Sequence, residues 1–182
     1  MVTIKRVQSQ EWKNFEIALK GLQRKVGKVG WFKGSKYDDE NQTSVAQVAV
    51  SNEFGNPSRN VPARPFMRPT ISKKENEWKK IAEDGSKQLI KGNVTVYDLM
   101  EIIGQKATGD IKKTISEIWT PALKESTIKS RIRKYTSSPD LSIKTRNKRS
   151  KQVKKFIPSA IYKPLIDTGL MFATLINTVE DE

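Results

Sequence analysis

The chain contains no cysteine and no histidine among its 182 residues. Without cysteine, neither a disulfide framework nor a thiol nucleophile is available. Without histidine, the chain lacks the usual general base and the commonest transition-metal ligand. Most hydrolase and metalloenzyme mechanisms are therefore excluded, and we expect no enzymatic activity, no cofactor and no metal.

Long apolar runs are also missing. No stretch approaches the ~20 apolar residues that a membrane-spanning helix needs, and the N-terminus lacks a signal-peptide core. Hydrophobic residues make up 36% of the chain and charged residues 30%, so either the core is small or part of the chain is ordered only by neighbours. We expect a soluble, cytoplasmically made protein with no membrane contact, and one domain over residues 1–182.

Positive charge is concentrated in one segment. The net charge of the chain is +14, and residues 124–155, with twelve basic and two acidic side chains, carry +10 of it. Apolar periodicity disappears over residues 136–155, which predicts a long, flexible basic loop leaving the domain. The basic patch comprises Lys129, Arg131, Arg133, Lys134, Lys144, Arg146, Lys148, Arg149, Lys151, Lys154 and Lys155.

This basic patch has two interpretations. Contacts to phosphates add salt-dependent affinity, so a nucleic-acid-binding module is one of them. The other is a solvated loop, or one that becomes ordered against an acidic neighbour. Tyr135 and Phe156 are the only nearby aromatic residues, which is too few for a base-stacking platform.

Apolar spacing predicts the first helix and two strands. A 3-4-3-4 spacing, with Ser9 as cap, places five apolar residues on one face of a helix: Trp12, Phe15, Leu19, Leu22 and Val26. Short runs rich in aromatic and β-branched residues at 29–32 and 173–179 are typical of strands.

Capping signals predict three further helices. Ser72 with Glu75, and Thr95 with Asp98, have the spacing of a helix-starting capping box. Pro121 suits the first turn of another helix.

A proline-rich segment follows a helix expected at residues 45–54. Gly55 is a natural helix stop, and Asn56 before Pro57 forbids continuation. Four prolines within thirteen residues then favour an extended, rigid arm. Arginines alternate there with apolar residues, a combination common in interface hot spots.

Three segments resemble a known family. Asn-Glu-Phe-Gly at 52–55 followed by Val-Pro-Ala-Arg-Pro-Phe at 61–66 resembles the signature of the phage virion-morphogenesis family, which comprises tail-completion and head–tail joining proteins such as minor tail protein Z-like chains. Lys-Pro-Leu-Ile-Asp-Thr-Gly-Leu-Met at 163–171 resembles the family's closing motif, a turn leading into a final strand. Ser126-Thr127-Ile128 with Arg131 and Arg133 resembles the basic helix before it.

The resemblance implies an α+β fold in which a small antiparallel sheet packs against several helices. It implies a structural subunit of the phage neck or tail end, forming a homo-oligomeric ring, hexameric in the family, between the head connector and the tail tube or tail terminator proteins. The chain would then be found in the virion neck or tail, with only incidental contact to packaged DNA. We expect the interaction residues to be Glu53, Phe54, Gly55, Pro62, Arg64, Pro65, Phe66, Asp167, Thr168 and Gly169.

Several alternatives stay open on the residues alone. The chain as a nucleic-acid-binding module is the alternative function. Asp167-Thr168-Gly169 also occurs in retroviral-type proteases, although prolines flank it here. Glu53 is either a buried partner of Arg64 or a solvated carboxylate. Residues 61–66 either dock on an adjacent subunit or shape the surface that faces it. We expect Phe66→Ala to abolish particle joining while leaving the monomer folded; unfolding would instead place Phe66 in the monomer's own core.

Overall fold

The computed structural model describes residues 9–32, 34–136 and 159–181. Within these residues there are six α-helices and one two-stranded antiparallel sheet, which confirms the α+β class. The helices are α1 (Gln10–Leu22), α2 (Val45–Phe54), α3 (Met67–Lys91), α4 (Val96–Glu117), α5 (Glu125–Thr136) and α6 (Leu170–Ala173), and the strands are β1 (Lys25–Gly30) and β2 (Ile176–Asp181). Short 3-10 helices occupy Pro57–Arg59 and Ser159–Tyr162.

The chain divides into two compact units. Unit 1 holds the described residues of Met1–Trp31, Arg68–Ile111 and Leu175–Glu182, and unit 2 those of Phe32–Met67 and Lys112–Thr174. Each unit is therefore built from segments that are distant in sequence. The expectation of one domain over residues 1–182 stays a prediction.

The sheet in unit 1 pairs the first strand with the last. Lys25 lies opposite Asp181 and Gly30 opposite Ile176. Both predicted strands exist, but β1 begins and ends earlier than residues 29–32, and α6 occupies the start of the predicted 173–179 strand. Lys25 Nζ lies 2.6 Å from the Asp181 carboxylate, across the same pair of strands.

The parts of α3 and α4 that belong to unit 1 run antiparallel to each other. Trp78 Nε1 donates to Asp110 Oδ2 at 2.9 Å, and a Cβ added at Gly85 would lie 2.1 Å from Leu99 Cδ1. Thr95 and Asp98 exchange hydrogen bonds at the start of α4, as predicted. The box predicted at Ser72 and Glu75 is wrong, because α3 already begins at Met67 and both residues lie inside it.

Helix α1 has the predicted cap, since Ser9 Oγ accepts from the Trp12 amide at 3.2 Å. Its small buried contact is made by Ala18, which packs with Leu89 and Val96. The predicted apolar face is exposed instead, and Val26 belongs to β1.

Unit 2 has its own core. Val45 from α2, Phe66, and Ile115 at the end of α4 are fully buried, and Leu165 and Met171 are nearly so. Helix α2 contacts α6, and α5 contacts the 3-10 helix Ser159–Tyr162. Pro121 precedes α5, which begins only at Glu125, so the predicted helix start there is wrong. Among the described residues, no helix has the length and apolar character needed to cross a membrane.

Candidate functional site: a cleft lined by the three segments

All three segments that carry the family resemblance lie in unit 2 and line a cleft of about 1860 Å³. The first segment contributes Asn52, Val61, Pro62 and Arg64, the basic helix Thr127 and Arg131, and the closing motif Pro164, Leu165, Asp167, Thr168 and Gly169. Three segments that lie thirty or more residues apart in sequence therefore form one surface.

The first segment folds back on the end of α2. Gly55 has a φ of +78°, a conformation that favours glycine, and a Cβ there would lie 2.9 Å from the Ala63 amide nitrogen. Both the backbone conformation and the available space therefore require glycine at this turn. The Asn56 amide donates to the Val61 carbonyl at 2.8 Å, and the Arg64 amide donates to the Asn52 carbonyl at 2.7 Å. The proline-rich segment is thus held against its own unit.

Glu53 fixes this fold from inside. Its side chain is buried, and Oε2 accepts hydrogen bonds from the backbone amides of Phe66 at 2.7 Å and Met67 at 2.9 Å. Met67 begins α3, and a carboxylate at a helix N-terminus satisfies free amides and the helix dipole. The solvated alternative for Glu53 is therefore wrong, because its side chain is buried and accepts from these backbone amides; a pairing with Arg64 stays a prediction.

Arg64 is buried and clamps the chain before α5. Its Nε donates to the Pro121 carbonyl at 2.7 Å and its Nη2 to the Ala122 carbonyl at 3.2 Å. Burial, and secondly the positive charge of Arg131, lower the pKa of Arg64. Arg64 therefore joins the first segment to the entry of the basic helix.

Arg131 joins the basic helix to the closing motif. Its Nη1 donates to the carbonyls of Ile161, Lys163 and Ile166 at 3.2, 2.8 and 3.1 Å, and its Nη2 donates to that of Pro164 at 3.4 Å. One guanidinium thus bonds four backbone carbonyls of a single turn. Burial lowers the pKa of Arg131, and the nearby Asp167 carboxylate opposes that shift.

The Asp-Thr-Gly turn at 167–169 lines the cleft next to Arg131. Asp167 Oδ1 lies 3.2 Å from Arg131 Nε, and the Asp167 side chain is 54% exposed. Gly169 has a φ of +78°, and Thr168 Oγ1 accepts from the Leu170 amide at 3.2 Å. The turn leads into α6 before β2. Asp167 is therefore an ion-pair partner of a structural arginine, which is not the apolar setting of a protease dyad.

The rim of the cleft carries exposed charges. Arg59, Lys124 and Lys134 are exposed and line the cleft, as does Asp38. Asp39 accepts hydrogen bonds from the Thr43 amide and hydroxyl, which lower its pKa. The mixed charges of the rim and the apolar lining together suit a polypeptide surface that carries both acidic and basic groups.

The predicted interaction residues of the first segment differ in how exposed they are. Arg64 and Phe66 are buried, with Phe66 at 0% exposure, whereas Phe54 is 61% exposed. Pro62 and Pro65 are exposed. The docking alternative for Phe66 is therefore corrected: this side chain belongs to the core of unit 2, because it is fully buried there. That residues 61–66 shape the surface facing an adjacent subunit stays a prediction.

The basic patch is only partly described. Lys129 pairs with Glu125 at 2.7 Å, Arg131 is occupied by carbonyls, and Arg133 and Lys134 are exposed on α5. The other seven residues lie outside the described part of the chain: Lys144, Arg146, Lys148, Arg149, Lys151, Lys154 and Lys155. Thr136, the first residue of the predicted loop, is the last residue of α5.

Among residues 9–32, 34–136 and 159–181, no three acidic, histidine or cysteine side chains are grouped to hold a metal ion. Sequence reasoning missed the carbonyls of Pro121 and Ala122 as partners of Arg64, and it did not place Lys124 on one rim with Arg59 of the proline-rich segment. Backbone carbonyls leave no signal in a sequence. The rim lysine Lys124 was counted within the basic segment but not linked to the first segment.

Comparison with protein-family models, with curated proteins and with solved structures gives no match for this chain.

Proposed function

We propose that the chain is a structural subunit of a phage neck or tail end, which completes the tail and joins it to the head connector as part of a ring. The observation that supports this most is the convergence of the three family-like segments on one cleft in unit 2. Segments that resemble one family in their residues and in their order along the chain also meet in space, which unrelated matches have no reason to do.

The contacts of the resembling residues support a structural role. Glu53 accepts from backbone amides, and Arg64 and Arg131 donate to backbone carbonyls. These side chains fix the course of the chain around the cleft. Residues that shape a surface in this way preorganise it, which lowers the entropy lost on binding.

The dimensions and charge of the cleft suit a neighbouring subunit. Its volume of about 1860 Å³ exceeds the ~300–1,000 Å³ of ordinary small-molecule sites. In a ring, each protomer presents one surface to a different surface of the next. A cleft with apolar walls and both cationic and acidic residues on its rim is a suitable recipient surface, and its counterpart would be apolar with complementary charges at its edge.

Gene deletion with complementation tests this proposal. Particles assembled without the chain should appear as tails without heads beside filled heads, and the wild-type gene should restore joined particles. Complementation by Lys134→Glu, at the rim, should restore far fewer joined particles than Lys129→Glu, its matched control on the same helix outside the cleft. Normal particles in the deletion strain would refute the proposal, and equal complementation by the two variants would remove the cleft from it.

The alternative, a nucleic-acid-binding module, makes a different prediction. It requires tight association with duplex DNA that falls steeply with added salt. Gel shifts at two salt concentrations distinguish the two functions, since a joining subunit is expected to show only weak DNA binding.

A further inference from the structure

Helix α1 in unit 1 carries an apolar stripe that points into solvent. Four large side chains make it up, and each is between 39% and 50% exposed: Trp12, Phe15, Leu19 and Leu22. The rings of Trp12 and Phe15 lie 5.7 Å apart, so the stripe is continuous at its start. Together these side chains leave roughly 400 Å² of surface uncovered, the size of the largest apolar patches on monomers, which are often functional.

The stripe is not the face that attaches α1 to its unit. Asn14 Nδ2 donates to the Ile90 carbonyl at 3.2 Å, Ala18 is buried, and a Cβ at Gly21 would lie 2.8 Å from Val96 Cγ2. These three small or polar residues lie on a different side of the helix and bring its backbone close to unit 1. Because α1 is already fixed by that side, the stripe is free to contact a partner.

The spacing of the stripe specifies a helix as that partner. Residues 12, 15, 19 and 22 follow the a and d positions of a heptad repeat, which is the narrow seam of a coiled coil. A broader stripe would be expected if α1 were meant to lie on a core. The 3-4-3 spacing therefore favours one α-helix packed alongside α1.

The residues that flank the stripe define the charge of that helix. In this repeat the e and g positions are Glu11, Glu16, Ala18 and Gln23. Ala18 packs on unit 1, and both charged residues among the other three are acidic. A second copy of α1 brings no cation to these positions in either orientation, and in a parallel pair it places Glu11 beside Glu16 of its partner. Opposite charges at e and g determine the choice of partner, so charge complementarity argues for a basic helix and against self-pairing.

We propose that the exposed stripe of α1 binds an amphipathic α-helix of another protein, one that presents apolar a and d residues flanked by lysine or arginine. This interface is independent of the cleft in unit 2. The stripe alone is small beside the ~800 Å² that each partner buries in a standard stable interface. The interaction is therefore a weak, exchanging one unless the partner also touches neighbouring surface.

Two labelled peptides test the proposal. Both are amphipathic helices of about twenty residues with leucine at a and d, one with lysine at e and g and the other with glutamate there. Fluorescence anisotropy with the full chain should show binding of the lysine peptide and at least about tenfold weaker binding of the glutamate peptide. Failure to bind the lysine peptide, or equal binding of both, overturns the proposal.

Matched variants locate the binding. Leu19→Glu should weaken lysine-peptide binding by about tenfold or more, whereas Ile17→Glu, on the same helix and 69% exposed but off the stripe, should leave it unchanged. Reversing both flanks with Glu11→Lys and Glu16→Lys should transfer the preference to the glutamate peptide. Circular dichroism confirms that each variant is folded.

Analytical ultracentrifugation tests the rival occupant. Self-association that Leu19→Glu abolishes and Ile17→Glu preserves would make a second copy the occupant and would overturn the proposal. A mass that Leu19→Glu does not change agrees with it, whatever oligomer the cleft supports.

Discussion

Replacing Arg131 by methionine should destabilise unit 2 locally, because its guanidinium donates to the carbonyls of Ile161, Lys163, Pro164 and Ile166. A hydrogen bond from a charged donor contributes ~1.5–3 kcal/mol, but bonds within one network do not add. Large single-residue effects rarely exceed ~4–5 kcal/mol. We therefore expect a loss of about 3 kcal/mol, arising from partly buried carbonyls that lose their donor.

Smaller changes at the same place should cost less. Arg131→Lys keeps the charge but replaces the planar fork by an ammonium that reaches fewer carbonyls, so we expect about half the loss. Asp167→Asn removes an ion pair whose carboxylate is 54% exposed, which we expect to cost less than ~1 kcal/mol because solvent screens it. Lys129→Met is the matched control, since it removes an exposed cation from the same helix.

Hydrogen exchange measures this loss where it occurs. The Ile166 amide donates to the Lys163 carbonyl inside the turn that Arg131 holds. A loss of about 3 kcal/mol makes its exchange about a hundredfold faster when exchange follows local opening. Equal exchange in Arg131→Met and Lys129→Met would refute the idea that Arg131 maintains the closing motif.

Three further predictions follow from glycine contacts, burial and charge. Gly109→Ala should raise the melting temperature, because a Cβ there meets nothing within 4 Å and alanine favours a helix by ~1 kcal/mol. Gly104→Ala in the same helix should lower it, because its Cβ would lie 2.9 Å from that of Asn177. Phe66→Ala should lower the free energy of unfolding, measured in urea, by ~3–5 kcal/mol, because the side chain is fully buried. An unchanged urea midpoint would contradict a place for Phe66 in the core. Hydrogen bonds from Lys106 and Lys74 lower the pKa of Glu77 from its ordinary 4.5 to about 2. Its contribution to stability is therefore complete above pH 4.5 and is lost as the pH falls towards 2. Carboxyl NMR titration checks this value, and a midpoint near 4.5 would contradict it.

Local chemistry explains which helix boundaries could be predicted. Ser9 and the Thr95–Asp98 pair bond to amides within three residues, and Gly55 stops α2 through its own φ. Each of these signals is complete within a few residues of sequence. The sequence therefore contains everything needed to place them.

The start of α3 was misplaced because its cap is not local. The amides of Phe66 and Met67 are satisfied by the carboxylate of Glu53, thirteen and fourteen residues earlier. Pro69 then lies in the first turn of α3, where the missing amide costs little. A tertiary contact thus replaced the capping box at Ser72.

The candidate cleft could be predicted only in part. Its three segments were identified by resemblance, but no periodicity indicates that Arg64 and Arg131 would donate to distant carbonyls. The exposure of the apolar face of α1 could not be predicted either. An amphipathic spacing identifies an apolar face but does not show whether other residues cover it. The side that packs was decided by the close approach that Ala18 and Gly21 allow.

Localisation of the chain in finished particles tests the central claim most directly. Purified virions should contain the chain in a small, fixed number of copies by mass spectrometry, and a gold label on it should lie at the junction of head and tail in electron micrographs. Absence of the chain from purified virions, or a label spread over heads or tail fibres, would contradict a role in joining.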